Sequence, residues 1–361
     1  MDNELKLEDL GYNEFFESAR KNLKLEGFSV ARVIAEYKGA YRVKNVTGEY
    51  LAKITGKQMF EASSRADYPA VGDWVAITDL GEEQAVIHKI LPRKTLIKRK
   101  YSGKNEFQII AANIDVAFII ESVGGDYNLN RFERYLAIAN DGGVKPAIIL
   151  NKTDLIPKEE LEPLMAEIKT RFSGIDFIPT STITDGGLDE LKSYLAKGKT
   201  YCFLGSSGVG KSSLINKLIG KSVINTKKID PRTDRGKHTT TAREMYFLEN
   251  GSIVIDNPGM REVGMANAST GINNVFDEII ALAQQCKFAD CSHTGEPGCK
   301  VLAAIESGKL EKEKYDNYAN LKKETEYYEK TKLEKKQKDR QFGKFVKTAK
   351  EQLKHYGHKD Y

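Results

Sequence analysis

Cysteine is scarce in this chain, with four in 361 residues, and three of those fall between Cys286 and Cys299. That distribution argues for metal binding in a reducing compartment more than for a disulfide framework. Long apolar runs are also missing, and none reaches the roughly 20 residues needed to cross a bilayer as a helix. The first residues, Met1-Asp2-Asn3-Glu4, are acidic and carry no basic-then-apolar leader. A cytoplasmic protein with no membrane partner is therefore expected. Internal repeats are absent too, which sets aside solenoid and propeller architectures. What remains is a globular composition, 40% hydrophobic and 30% charged, long enough for two or three domains.

Residues 1–27 read as an N-terminal extension with a short amphipathic helix, Asn13 to Leu23. The texture then changes to short β runs: Ser29 to Tyr37, Ala40 to Lys44, Glu49 to Ile54, Trp74 to Thr78 and Gln84 to Leu91. Five such strands within residues 28–100 suit a small barrel, led by the oligonucleotide-binding (OB) type, although an SH3-like barrel has the same periodicity. Trp74 is expected in its core. From residue 101 to 265 strands alternate with helices, which argues for a parallel sheet covered on both faces. Residues 266–361 read as mainly helical.

The net charge of +5 hides a local excess. Lys335, Lys336, Lys338, Arg340, Lys344, Lys347, Lys350 and Lys354 face only Asp339 and Glu351, an excess of six in one segment. Arg93, Lys94, Lys98, Arg99 and Lys100 form a second basic stretch after the barrel. An anionic partner, nucleic acid above all, is the natural inference.

A phosphate-binding loop runs through Gly205, Ser206, Ser207, Gly208, Val209, Gly210, Lys211 and Ser212, with Ser213 beginning the next helical turn. Its glycines let backbone N–H groups turn toward phosphates, Lys211 reaches the β and γ positions, and Ser212 is placed to ligate Mg²⁺. Asn151, Lys152, Thr153 and Asp154 supply the base-selecting chemistry. A carboxylate at Asp154 accepts from two adjacent guanine N–H groups, a pair that adenine does not offer, so GTP and GDP are expected over ATP. Ser181 is a supporting contact. Asp256, Asn257, Pro258 and Gly259 read as the phosphate-sensing tetrad, with Asp256 on the Mg²⁺ shell and the Gly259 N–H on the γ phosphate. One of Thr239, Thr240 and Thr241 completes that shell. The order is inverted, because the base-selecting tetrad precedes the phosphate loop. Asp256 to Gly259 also leads directly toward the cysteine-rich end, so γ-phosphate loss is expected to pull on that end relative to the barrel.

Cys286, Cys291, His293 and Cys299 offer three thiolates and one imidazole, an inventory that favours one structural zinc ion with no open catalytic position.

This order of motifs, the barrel ahead of them, the His238-Thr239-Thr240-Thr241 loop, the Gly72-Asp73-Trp74-Val75 signature and the cysteine cluster together resemble the ribosome small subunit-dependent GTPase A family. The resemblance covers nearly the whole chain. It implies a multidomain protein with an N-terminal OB-type β-barrel, a central circularly permuted α/β P-loop GTPase domain and a C-terminal, mainly helical zinc-binding domain. It further implies a monomer that binds the small ribosomal subunit and its rRNA and hydrolyses GTP during late subunit maturation. Met260 stands where many GTPases carry a water-orienting glutamine, and a thioether cannot orient water; the resemblance points to His238 as the catalytic residue. Lys237 and Asn257 depart from the family's usual arginine and threonine without removing a ligand. The rival is a nucleotide-gated RNA-binding scaffold in which hydrolysis is incidental.

Overall fold

A computed structural model of the chain describes residues 4–100, 107–124, 127–224, 243–256 and 268–329. At the amino end α1 (Glu14–Asn22) starts at Asn13, whose side chain accepts from Phe15 N at 3.1 Å and so caps an otherwise orphaned donor. Its buried Phe16, with Leu10, Tyr12 and Leu25, packs on the fully buried Trp74.

Five strands make the barrel. β1 (Ser29–Tyr37) pairs antiparallel with β2 (Ala40–Lys44), and β2 with β3 (Glu49–Ile54). After the short α2 (Gly56–Glu61), β4 (Trp74–Gly81) and β5 (Gln84–Ile90) form a hairpin. β5 runs parallel to β3 while β4 pairs antiparallel with β1, which closes the ring as an OB-type barrel. Alternate residues point inward: Ala31, Val33, Tyr41, Val43, Tyr50, Ala52, Val75, Ile77, Ala85 and Ile87 fill the interior.

The Gly-Asp-Trp-Val segment acts as a clamp. Gly72 sits at φ +95 with an added Cβ only 2.0 Å from the Ala112 carbonyl oxygen, so no side chain fits. Asp73 is fully buried, accepts from Ala70 N at 2.8 Å, and meets Arg93 through Nε at 2.8 Å and Nη2 at 2.7 Å. Arg93 thus serves the fold, and Lys98 pairs with Asp141 at 2.8 Å. Of the second basic stretch, Lys98, Arg99 and Lys100 lie on a strand, β6 (Leu96–Lys100), paired in a hairpin with β7 (Phe107–Ala112).

The α/β part follows in chain order: β8 (Val116–Ser122), α3 (Leu129–Asp141), β9 (Lys145–Asn151), α4 (Lys158–Arg171), β10 (Asp176–Thr180), α5 (Asp189–Tyr194), β11 (Thr200–Gly205), α6 (Lys211–Ile219), β12 (Glu244–Phe247) and β13 (Ile253–Asp256). The sheet order is β10-β9-β8-β11-β13-β12, with the first five parallel and β12 antiparallel at the edge. Separate apolar cores line its two faces, one against α3 and α4, the other against α5 and α6. β12 also pairs with β1, so barrel and α/β sheet are continuous.

Four helices complete the described chain: α7 (Ser269–Val275), α8 (Asp277–Ala283), α9 (Lys300–Glu306) and α10 (Lys312–Glu329). α7 lies on α3 so closely that a Cβ on Gly271 would be 1.9 Å from the Ala137 carbonyl oxygen. Arg171 joins the fully buried Glu133 at 2.8 Å to Glu311 at 2.9 Å, tying α10 to the α/β part. Among the described residues no helix is long and apolar enough to cross a membrane. The basic run from Lys335 to Lys354 lies outside the described residues.

Candidate functional site

Parallel strands deliver their carboxyl ends to one edge, and that edge gathers the motifs. Asn151 ends β9, Thr180 ends β10, Gly205 ends β11 and Asp256 ends β13. Direct register between Thr180 and Asn151, Ser122 and Asn151, and Gly205 and Ile120 keeps these ends level. Ligands of open α/β sheets bind at such an edge.

The tetrad Asn151 to Asp154, read from the sequence as base-selecting, is braced from both sides. Asn151, buried, donates from Nδ2 to the Val209 carbonyl at 2.8 Å and accepts at Oδ1 from Thr180 Oγ1 at 3.0 Å. Lys152 takes a left-handed φ of 60 and its exposed Nζ donates to the Gly208 carbonyl at 2.7 Å. Thr153 Oγ1 donates to the Thr180 carbonyl at 3.2 Å. Ser181 Oγ donates to Asp154 Oδ1 at 2.6 Å while accepting from Ile183 N and Thr184 N at 3.1 and 3.2 Å. With its hydroxyl so fixed, Ser181 can orient Asp154 and leave the second carboxylate oxygen for a ligand.

The phosphate loop joins β11 to α6. Gly205, Gly208 and Gly210 all have positive φ. Crowding adds to the demand at Gly210, where a Cβ would lie 2.3 Å from Asn151 Nδ2. Lys211 opens α6 and folds back, its Nζ donating to the Gly205 and Ser206 carbonyls at 2.7 and 2.6 Å. Burial pushes its ammonium down to about 8, against the attraction of Asp256 and Glu121. Ser212 and Ser213 stand on the first helical turn, Ser206 and Ser207 on the loop outside it. A phosphate chain along this loop would meet backbone N–H groups, the positive end of a nine-residue helix and a buried ammonium. Asp256, 5% exposed, faces that ammonium from the next strand. Gly259, His238, Thr239, Thr240 and Thr241 lie outside the described residues.

Thr180 was not singled out by sequence, nor were the buried Glu121 on β8 and Tyr135 on α3, whose hydroxyl meets the Ser206 side chain. Nothing in their local sequence marks them; the sheet register and the packing of α3 bring them there.

A second site lies between α8 and α9. The ligand atoms of Cys286, Cys291, His293 and Cys299 all fall within 4.8 Å of one another. Cys286 Sγ is 3.6 Å and Cys299 Sγ 3.4 Å from His293 Nδ1, and the two sulfurs are 3.9 Å apart. A tetrahedron with metal–sulfur bonds of about 2.3 Å and metal–nitrogen bonds of about 2.0 Å has edges of roughly 3.5–3.8 Å, so this group can hold a metal ion. Lys300 N and Leu302 N each point at a sulfur, of Cys286 and Cys299, at 3.4 Å. Tyr315 donates to the His293 carbonyl at 2.9 Å, and burial holds the imidazole below its usual range, in the neutral form that ligates.

Comparison with known proteins gives a consistent picture. Residues 90–266 match the family model for the RsgA GTPase. The chain is 42% identical over 339 residues to the small ribosomal subunit biogenesis GTPase RsgA 2 of Lactiplantibacillus plantarum, covering 93% of this chain and 95% of that protein. Among solved structures, YjeQ from Thermotoga maritima is 28% identical with a TM-score of 0.60, over 81% of this chain and 96% of that one. YloQ, described as a circularly permuted GTPase, shares the fold at 23% identity and a TM-score of 0.58, over 84% of this chain and 97% of that one.

Proposed function

The chain belongs to the RsgA GTPase family, and on that footing we propose that it hydrolyses GTP during biogenesis of the small ribosomal subunit, in the cytoplasm, as a monomer bound to that subunit's rRNA. Members of this family are GTP hydrolases, which favours the enzyme over the scaffold. The observation that carries the residue assignments is the joining of the two halves of the site: Asn151 Nδ2 on the Val209 carbonyl and Lys152 Nζ on the Gly208 carbonyl.

In this reading Asp154, held by Ser181, accepts the paired guanine N–H groups, and the stem of Lys152 covers the base. Amides of Gly205 through Lys211 cradle the phosphates, and Lys211 exchanges its carbonyl partners for β and γ oxygens. Magnesium would compensate phosphate charge when bound, and Ser212, Asp256 and one of Thr239, Thr240 and Thr241 would hold it. His238 orients the attacking water, and Gly259 N–H senses the γ phosphate. Zinc is the ion best suited to Cys286, Cys291, His293 and Cys299, since three thiolates and an imidazole form a closed tetrahedral set. Chelation is expected to release one zinc per chain and to expose the α8–α9 segment to proteolysis; a chain that holds no zinc and resists protease equally would overturn that assignment.

The deciding experiment is GTP turnover with and without purified small subunits. Stimulation by the subunit supports the enzyme. GTP-dependent binding with no change in turnover supports the scaffold instead.

A further inference from the structure

Three consecutive residues of barrel strand β1 contact the α/β part, while Ala35 and Glu36 also keep their register partners Arg42 and Tyr41 on β2. A bulge in the β1–β2 pairing falls between Val33 and Ala35. Bulges re-aim side chains, and here Ile34, 7% exposed, packs in the α/β core that also contains Met245 of β12. Ala35 next pairs in register with Glu244. Glu36 then meets Arg243 across the seam, Oε2 to Nη1 at 3.1 Å, with the arginine side chain 11% exposed. Lys44 of β2 adds its ammonium over the Phe247 ring at 5.5 Å.

Glu244 has a second register partner on its other side, and that partner is Asp256. Ala35, Glu244 and Asp256 therefore stand in one row across three strands, with the barrel backbone two strand spacings, roughly 10 Å, from the carboxylate end of β13. We propose that β12 is the coupling strand between barrel and nucleotide site, and that Glu36, acting through Arg243, is a positioning residue for Asp256. β12 is paired along all four of its residues with β13 but meets β1 in a single register pair, so side-chain contacts carry much of the hold between β1 and β12. Burial first, and the charge of Arg99 after it, disfavour the charged form of Arg243, which Glu36 supports. Removing the Glu36 carboxylate would take away the negative charge facing the Arg243 guanidinium, and the seam would lose one of its side-chain contacts while the Ala35–Glu244 pair remained. A load on the barrel then reaches Asp256, and occupancy beside Asp256 reaches the barrel by the same amount, as linkage requires.

This inference rests on the assignment of Asp256 to the nucleotide site, so the test has one arm that needs no ribosome. Hydrogen exchange of amides 33–36 is compared between GDP and GTP-analogue complexes of the full chain. The wild type is expected to show a difference and Glu36→Gln none. In the second arm the stimulation of turnover by small subunits falls about tenfold in Glu36→Gln and recovers in part in Glu36→Asp. Lys44→Met, which removes the contact with Phe247 together with the Lys44–Glu49 ion pair at 2.8 Å, is expected to act in the same direction should the Glu36 variant melt early, with Glu49→Gln as the control for the lost ion pair. A wild-type exchange difference retained in both Glu36→Gln and Arg243→Gln, with full stimulation, would overturn the proposal. No stimulation of the wild type would count against the function proposed above, and the exchange arm would still decide the coupling.

Discussion

Lys211 is the residue at which environment and function are most directly opposed. Its ammonium is buried among backbone carbonyls and is pushed down to about 8, from the ordinary lysine range. A proton lost near that pH is one that an incoming polyphosphate restores, since phosphate oxygens favour the charged form. The sign follows: GDP affinity is expected to be flat below about pH 7 and to fall by up to roughly tenfold per pH unit above 8, with proton uptake on binding. Calorimetry in buffers of different ionisation enthalpy measures both quantities. Affinity and proton uptake that stay constant to pH 9 would show that Lys211 is fully charged before the ligand arrives. The role proposed for His238 supplies a complementary prediction, because a group that orients water in the transition state contributes little to ground-state binding. His238→Ala is expected to abolish subunit-stimulated turnover and to leave GDP affinity nearly intact, and unchanged stimulated turnover would remove it from the mechanism.

Elements divide into those whose pattern is local and those whose existence depends on a neighbour. α7 belongs to the second kind: seven residues long, it is held by its approach to α3 at Gly271. Gly271→Ala must separate the two helices and is expected to cost about 1–3 kcal/mol, whereas Gly48→Ala, with nothing within 4 Å of the added Cβ, should be nearly neutral. Thermal melting of the pair checks this, and equal melting temperatures would mean the α3–α7 contact carries no stability. The same division explains what the sequence made readable. Barrel strands alternate and α/β strands are continuous apolar runs, so both declare their period, and the phosphate loop carries its own chemistry in its glycines and Lys211. β12 is four residues, Glu244 to Phe247, and its alternation is too short to tell from loop. β6 hides behind Lys98, Arg99 and Lys100, whose charges suggest a solvated linker although Lys98 pairs with Asp141. Arg93 looked equally available and is committed to Asp73. Local sequence records charge; it does not record which charges have partners inside the fold.

At the scale of the whole molecule, that commitment redistributes the electrostatic case for an RNA partner. With Arg93 and Lys98 engaged internally, the larger reserve of positive charge is the run from Lys335 to Lys354, eight cations against two anions. If these residues meet rRNA phosphates, each contact releases counterions, and log affinity falls with log salt at a slope of about 0.7–0.9 per phosphate neutralised. A chain ending after Leu333 is then expected to bind small subunits more weakly at low salt and to lose several units of that slope, while the two chains converge in affinity as salt rises. Binding isotherms from about 50 to 300 mM salt separate this from the alternative in which the barrel makes most phosphate contacts. There the slope would be kept by the shortened chain and lost instead on replacing exposed barrel cations such as Arg42 and Lys53. The distinction bears on the row of Ala35, Glu244 and Asp256, because only a partner held by the barrel loads β1 directly. A slope carried wholly by the C-terminal run would place the mechanical input after α10 in the chain, and the barrel seam would then answer to nucleotide state without sensing the ribosome.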